Sequence, residues 1–185
     1  MARRGWIFQQ HSSTRGGVIS PVNREACHDT GNPGGVSVPL TPAFVFKDAR
    51  KAIEFYRKAF GAEERFVMPG PAGKGIMHAE IRIGSSPMML GEENPQCSCR
   101  SAETKGGSPI SFYVYVDNVD EAFRTAVAAE VEVEMPVDDM FWGDRMGTVR
   151  DPFGYSWSLA SHTRDLTMAE IEEGAKAAFA KMAEA

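Results

Sequence analysis

At 185 residues, with 43% hydrophobic and 24% charged side chains, the chain is sized for one ordinary core and one domain. A formal net charge of -5 leaves no basic stripe to meet phosphates, which argues against nucleic acid as a partner. No apolar run approaches the roughly 20 residues of a membrane-spanning helix. The three cysteines, Cys27, Cys97 and Cys99, are too few for a secreted disulfide framework, so a cytoplasmic location is expected.

Residues 1–37 hold Ser, Thr, Gly, Pro, Asn and Arg without a helical or alternating period and end in Gly31-Asn32-Pro33-Gly34-Gly35. They predict a disordered or loosely attached extension. Its apolar start stops at Gln9, short of a signal sequence, and Cys27-His28-Asp29 has no fixed frame in which to hold a metal. The expected domain runs over 38–166. Pro42 to Phe46 reads as a strand. Asp48 is placed to cap a helix from Ala49 to Phe60, whose apolar positions Ala52, Ile53, Tyr56 and Phe60 recur at helical spacing before Gly61. Strands follow at about 63–68, 75–83 and 87–91, completing a βαβββ module over about 38–92. A loop rich in Glu, Asn, Cys, Ser and Gly, Glu92 to Ser108, then carries Cys97-Ser98-Cys99, read as two loop thiols.

The same order recurs over about 109–162. A strand from Ile110 to Val116 meets a cap at Asp117 or Asn118. A helix to about Ala129 is followed by strands near 131–137 and 145–150, the turn Asp151-Pro152-Phe153-Gly154, and a strand from Tyr155 to Ala160. Laying the two openings together pairs Phe44 with Val114 and Phe46 with Val116, a weak residue match whose weight comes from agreement in element order and caps. Over 167–185, the capping box Thr167-Met-Ala-Glu170 opens a helix with Ile171, Ala175, Ala178, Phe179 and Met182 on or near one side. That face must cover the domain or reach a partner subunit.

Several blocks together resemble a known family: Thr41-Pro-Ala-Phe-Val-Phe, Ala52-Ile-Glu-Phe-Tyr-Arg-Lys-Ala-Phe-Gly-Ala62, Met77-His-Ala-Glu-Ile-Arg-Ile-Gly84, Phe141-Trp-Gly-Asp-Arg145 and Arg150-Asp-Pro-Phe-Gly-Tyr-Ser-Trp157. They look like the PhnB-like branch of the glyoxalase/bleomycin-resistance, or vicinal oxygen chelate, superfamily. The resemblance covers roughly 38–172. It implies an α+β fold, with two βαβββ modules forming a curved mixed sheet and a C-terminal helix. A ligand would lie on the concave face of the cup, with helices on the convex side. Metal-dependent isomerases, epimerases and dioxygenases share that fold with metal-free proteins that sequester antibiotics, so the site must decide the chemistry.

Strand parity predicts which side chains line the cup. If Ile110, Phe112, Val114 and Val116 face the helices, Ser111, Tyr113 and Tyr115 face inward. The same rule sends Met77, Ala79, Ile81 and Ile83 to the helices and His78, Glu80 and Arg82 to the cup. It places Thr41, Ala43 and Val45, and Ser156, Ser158 and Ala160, inward as well, with His162 just beyond the last strand. The resemblance puts the usual metal positions near Thr41, between Leu90 and Glu92, and at Ser111 and Ser158. Hydroxyls are poor ligands for Zn, Ni or Fe(II), so no tight metal is expected there, and Glu92 is the one strong candidate ligand. No cofactor is predicted, with a weakly held divalent metal left open.

His78 and Glu80, about 7 Å apart at Cα on one strand face, are the candidate acid/base pair, and a lower-ranked metal site would add Glu92 to them. The alternative is structural: an ion pair between Glu80 and Arg82 beside a surface histidine. Trp142 can stack on a flat ligand and Arg145 can pair with an anion. The expected ligand-binding set is therefore Ser111, Tyr113, Tyr115, Trp142, Arg145, Ser158 and Arg82. Phe153 and Trp157 are assigned to the core. The leading expectation is a homodimeric protein that binds a small, partly aromatic or anionic molecule. The alternatives are a metal-dependent lyase or isomerase using His78 and Glu80, and an interaction protein with an occluded cup.

Overall fold

The structure is a computed structural model that describes residues 40–184; the expected extension, with Cys27-His28-Asp29, lies outside the described residues. Strands β1 (Ala43–Phe46), β2 (Glu63–Pro69), β3 (Ile76–Ile83) and β4 (Ser86–Glu92) form one sheet in the order β1-β4-β3-β2. Strands β5 (Ser111–Tyr115), β6 (Glu132–Asp139), β7 (Asp144–Arg150) and β8 (Ser156–His162) repeat the arrangement as β5-β8-β7-β6. In each sheet the first strand runs parallel to the last, and the remaining pairs are antiparallel. The α+β, two-module expectation holds.

The helices begin and end where side chains satisfy their free backbone groups. Helix α1 (Ala49–Phe60) starts at Asp48, whose Oδ1 accepts from Lys51 N at 3.0 Å, and stops at Gly61 in the left-handed region. Helix α3 (Val119–Ala128) is capped by Asn118 rather than Asp117, through Glu121 N at 3.1 Å. The sequence missed α2 (Ala102–Lys105), a single turn too short to show a period; Ser101 caps it through Thr104 N. Glu93 receives both the amide and the hydroxyl of Ser101, and these bonds lower its carboxyl to a pKa of about 2. Helix α4 (Met168–Glu184) opens with the expected capping box, Thr167 N to Glu170 Oε2 at 2.7 Å and Glu170 N to Thr167 Oγ1 at 3.3 Å.

One core, on the helix side of both sheets, joins the modules. Phe44 of β1 lies 4.8 Å from Phe112 of β5 between ring centroids, Phe60 lies 4.9 Å from Trp157, and Phe46 lies 5.2 Å from Phe153. Phe153 and Trp157 thus sit where the sequence assigned them. A buried carboxylate pins the seam: Asp151 accepts from Tyr56 Oη at 2.7 Å and Trp157 Nε1 at 2.9 Å, and from the backbone amides of Phe153 and Tyr155. Burial is the largest influence on this group and raises its pKa despite those donors.

Helix α4 buries no residue fully. Its Gly174 closes on Phe141, and Phe179 meets the Phe141 ring at 6.3 Å. Phe179 and Met182 are exposed, so the face predicted to be covered is only partly so.

Candidate functional site

Parity holds along most of the face opposite the helices and fails where the ladder slips. In β3, Ala79, Ile81 and Ile83 are buried towards the helices, but Met77 is exposed and Ile76 is buried in its place. The register of β2 against β3 shifts between Met68 and Pro69, so alternation slips by one residue at the start of β3. Ile110 also departs from expectation: it precedes β5 and stays exposed.

On the first sheet, His78 Nε2 lies 3.2 Å from Glu80 Oε1. Glu80 is buried, with Phe66 and Met89 as its cross-strand neighbours. Arg82 donates to Glu63 Oε2 at 2.6 Å, while its buried Nε finds no hydrogen-bond partner among the described residues.

Two expected site residues face the wrong way. Glu92 is in register with Phe46, on the helix side, and its Oε1 accepts from Ala49 N at 3.2 Å, so it serves the N-terminus of α1. Gly75 makes room for it, since a β-carbon there would stand 2.1 Å from Glu92 Oε2. Arg145 is in register with buried Ser161, also on the helix side. There Asp120 of α3 holds its guanidinium through Nε at 2.9 Å and Nη2 at 2.8 Å, and Asp139 takes a third bond. Counting by twos from apolar Val149 puts Gly147 and Arg145 with the helices; that signal was available in the sequence.

The same count puts Thr148, Met146 and Asp144 on the helix-free face, and Asp144 is the residue the sequence reading missed. Only 4% of Asp144 is exposed. Its Oδ2 accepts from Tyr113 Oη at 2.9 Å, Tyr115 Oη at 3.0 Å and Trp142 Nε1 at 3.2 Å. Its Oδ1 faces His162 Nδ1 at 2.9 Å, and His162 Nε2 faces Asp165 Oδ1 at 3.0 Å. Ala160 lies on the same face of β8, in register with both Tyr115 and Met146, and its small side chain is fully buried. The loop before Asp144 is held to the chain after β8, because Gly143 O accepts from Thr163 N, Arg164 N and Thr163 Oγ1. Gly143 takes a positive φ of 98°, and a β-carbon there would strike Arg164 O at 2.2 Å.

Burial, the largest single influence on Asp144, pushes its carboxyl upward, yet the bonds from His162, Tyr113, Tyr115 and Trp142 together hold it below the usual aspartate range. Desolvation, then the bond to Asp144, raises both phenols. Asp144 and then Asp165 raise His162. Geometry agrees in direction: both ring nitrogens face carboxylate oxygens, an arrangement that favours the doubly protonated ring. Tyr113 and Tyr115 stand 5.1 Å apart and are 46% and 58% exposed, so their polar ends are fixed while their rings meet solvent.

Ser111 is exposed beside Ser156, and Ser158 Oγ lies 3.1 Å from Thr148 Oγ1 on the same face. A cleft of about 520 Å³ lies elsewhere, lined by Lys47, Asp48, Arg50, Pro69, Gly75 and Glu92 among others. Glu92 already supplies the anionic group at that helix N-terminus.

The sequence profile of the Glyoxalase/Bleomycin resistance protein/Dioxygenase superfamily matches residues 41–159. This chain belongs to that superfamily. Among its relatives, an uncharacterized protein of Mycobacterium bovis is 41% identical over 140 residues, covering 74% of this chain and 91% of the relative. Protein YjdN of Escherichia coli is 27% identical and covers 66% of this chain and 94% of its own. The crystal structure of TioX from Micromonospora superposes with a TM-score of 0.53 at 27% identity, over 68% of this chain and 99% of that one. The fosfomycin resistance protein FosX from Listeria monocytogenes, at 18% identity and a TM-score of 0.51, covers 74% of this chain and 98% of that one and shares the fold alone.

Divalent metals serve many members of this superfamily, but the residues at the usual positions do not fit one. Thr41, Ser111 and Ser158 offer hydroxyls, and Glu92 turns to the other side of the sheet. Among the described residues no group of three or more His, Cys, Asp or Glu is arranged to hold a metal ion.

Proposed function

We propose that this superfamily member, of the PhnB-like branch, is a cytoplasmic, homodimeric protein that binds a small molecule against the helix-free face of its second module. It does so without a tight metal at the usual positions. The observation that carries this reading is the surface made by Tyr113, Tyr115 and Trp142. Their polar ends converge on one buried carboxylate, so the rings are ordered before a ligand arrives and little rotamer freedom remains to be lost on binding. Ser111 and Ser158 supply hydroxyls on the same face. Arg82 belongs to the corresponding face of the first module, which would close the cup within one chain or across a dimer.

Screening metabolites by the fluorescence of Trp142, with Trp142→Phe as the control, tests the proposal. A saturable change lost in the variant supports it, and silence across a broad library sinks it.

A second reading rests on the 3.2 Å approach of His78 Nε2 to buried Glu80. In that reading the pair moves a proton in a lyase or isomerase reaction. His78→Ala and Glu80→Gln would then abolish turnover while leaving ligand affinity broadly intact. Equal loss of affinity would make them binding groups instead.

A further inference from the structure

We infer that the ligand held at the Asp144 cluster is an organic cation, a quaternary or protonated ammonium carried on a small, partly apolar frame. This rests on the proposal that Tyr113, Tyr115 and Trp142 form the binding face, and it reverses the anionic preference expected from Arg145.

Charge is the first argument. Asp144 is buried, and three of its four donors, Tyr113, Tyr115 and Trp142, are neutral. The fourth, His162, is shared with Asp165, so two carboxylates face one ring that can carry at most a single positive charge, and these hydrogen-bonded groups keep a net negative charge. The two guanidinium groups of β7 are committed elsewhere. Arg145 sits across the sheet between Asp120 and Asp139, and Arg150, at the far end of β7 beside Ser156, is taken by Glu134 and Glu132. Asp138, exposed and in register with Met146, adds further negative charge beside the cluster.

The aromatic geometry is the second argument. A cation is drawn to the face of Trp or Tyr, and a phenol or indole that donates its hydrogen to a carboxylate has a more electron-rich ring than a free one. Here all three rings donate to the same carboxylate, and the tyrosines stay about half open to solvent. Phe141 stands edge-on to Trp142 at 4.8 Å and fixes that ring in turn. An incoming carboxylate or phosphate would meet the same rings and the same uncompensated charge, and would be repelled.

The test uses benzyltrimethylammonium, benzyl alcohol and benzoate as cationic, neutral and anionic probes on the full chain, followed by the indole N–H signal of Trp142 in nuclear magnetic resonance. The cation is expected to bind about tenfold or more tightly than either other probe. Tyr115→Phe, which keeps a ring but loses its bond to Asp144, should weaken binding of the cation about threefold, while Tyr115→Ala should weaken it about tenfold. Asp144→Asn should remove the preference among the probes, and Tyr115→Ala keeps the test decisive if that variant does not fold. Benzyl alcohol or benzoate binding as tightly as the cation overturns the inference and leaves the small-molecule proposal standing. So does silence from all three probes while other metabolites perturb Trp142. If no small molecule perturbs Trp142, both fall.

Discussion

His162 Nδ1 lies 2.9 Å from Asp144 Oδ1, tying the last residue of β8 to the first of β7 across one antiparallel pair. The sign of the pH dependence follows. His162 is raised above its ordinary 6.5, so its contribution to stability is fully present below about pH 6.5 and is lost as pH rises through the folded value. Asp144 is lowered below its ordinary 3.8, so its contribution is present above that value and is lost as pH falls through the folded one. Thermal unfolding should therefore show the cluster contributing most between about pH 4 and 6.5. His162→Gln should flatten the alkaline side of that profile; an unchanged slope would show that the imidazolium is not linked to folding.

Asp151 is predicted to be among the most sensitive positions in the chain. Asp151→Ala strands the Tyr56 hydroxyl, the Trp157 indole and two backbone amides in the core, a loss of about 3 kcal/mol or more. Asp151→Asn should cost less, because its amide oxygen can still accept. The folded carboxyl is raised, so this residue stabilises more, not less, as pH falls through its folded value, and it should not drive acid unfolding. Urea unfolding of the two variants, at neutral pH and again at lower pH, measures both statements.

Gly75 and Gly61 share a φ of +65°, but a β-carbon would strike Glu92 at the first and meets nothing within 4 Å at the second. Gly61→Ala should cost about 1 to 2 kcal/mol from the backbone alone, and Gly75→Ala should cost more. Glu92→Ala should destabilise the start of α1 while leaving divalent-metal affinity unchanged by equilibrium dialysis. A fall in Ni²⁺ or Zn²⁺ affinity would return Glu92 to the list of ligands.

Arg145→Met should lower thermal stability slightly, since it breaks an exposed clamp between α3 and β7. Affinity for the ligand should not change. A clear loss, measured by calorimetry on folded variant, would place the guanidinium back in the binding face.

The two modules were legible in the sequence because three independent signals agreed: alternation in Ser111 to Tyr115, helical spacing in Ala49 to Phe60, and caps at Asp48 and at Asp117 or Asn118, of which Asn118 caps the helix. The candidate site was legible only in part. Tyr113 and Tyr115 followed from the parity of a short, regular strand. Asp144 is masked in the sequence by its neighbour Arg145, whose guanidinium is the more conspicuous ligand group, although Val149 fixes the alternation of that strand. The exposure of Met77 could not be read at all, since it depends on a register shift between β2 and β3, a property of pairing rather than of either strand. Glu92 was misplaced for a related reason: a residue at the end of β4 takes its side from register with Phe46, and the nearest helix N-terminus claims it.

The bond from Tyr56 to Asp151 crosses from the first repeat to the second, and the rings around it come from both. Cutting the chain in the connection before β5 would leave Phe44, Phe46 and Tyr56 bare on one fragment and Phe112 and Trp157 bare on the other. Neither fragment would be a small protein in its own right. Duplication has here produced halves with a common interior, and they should melt in a single cooperative transition.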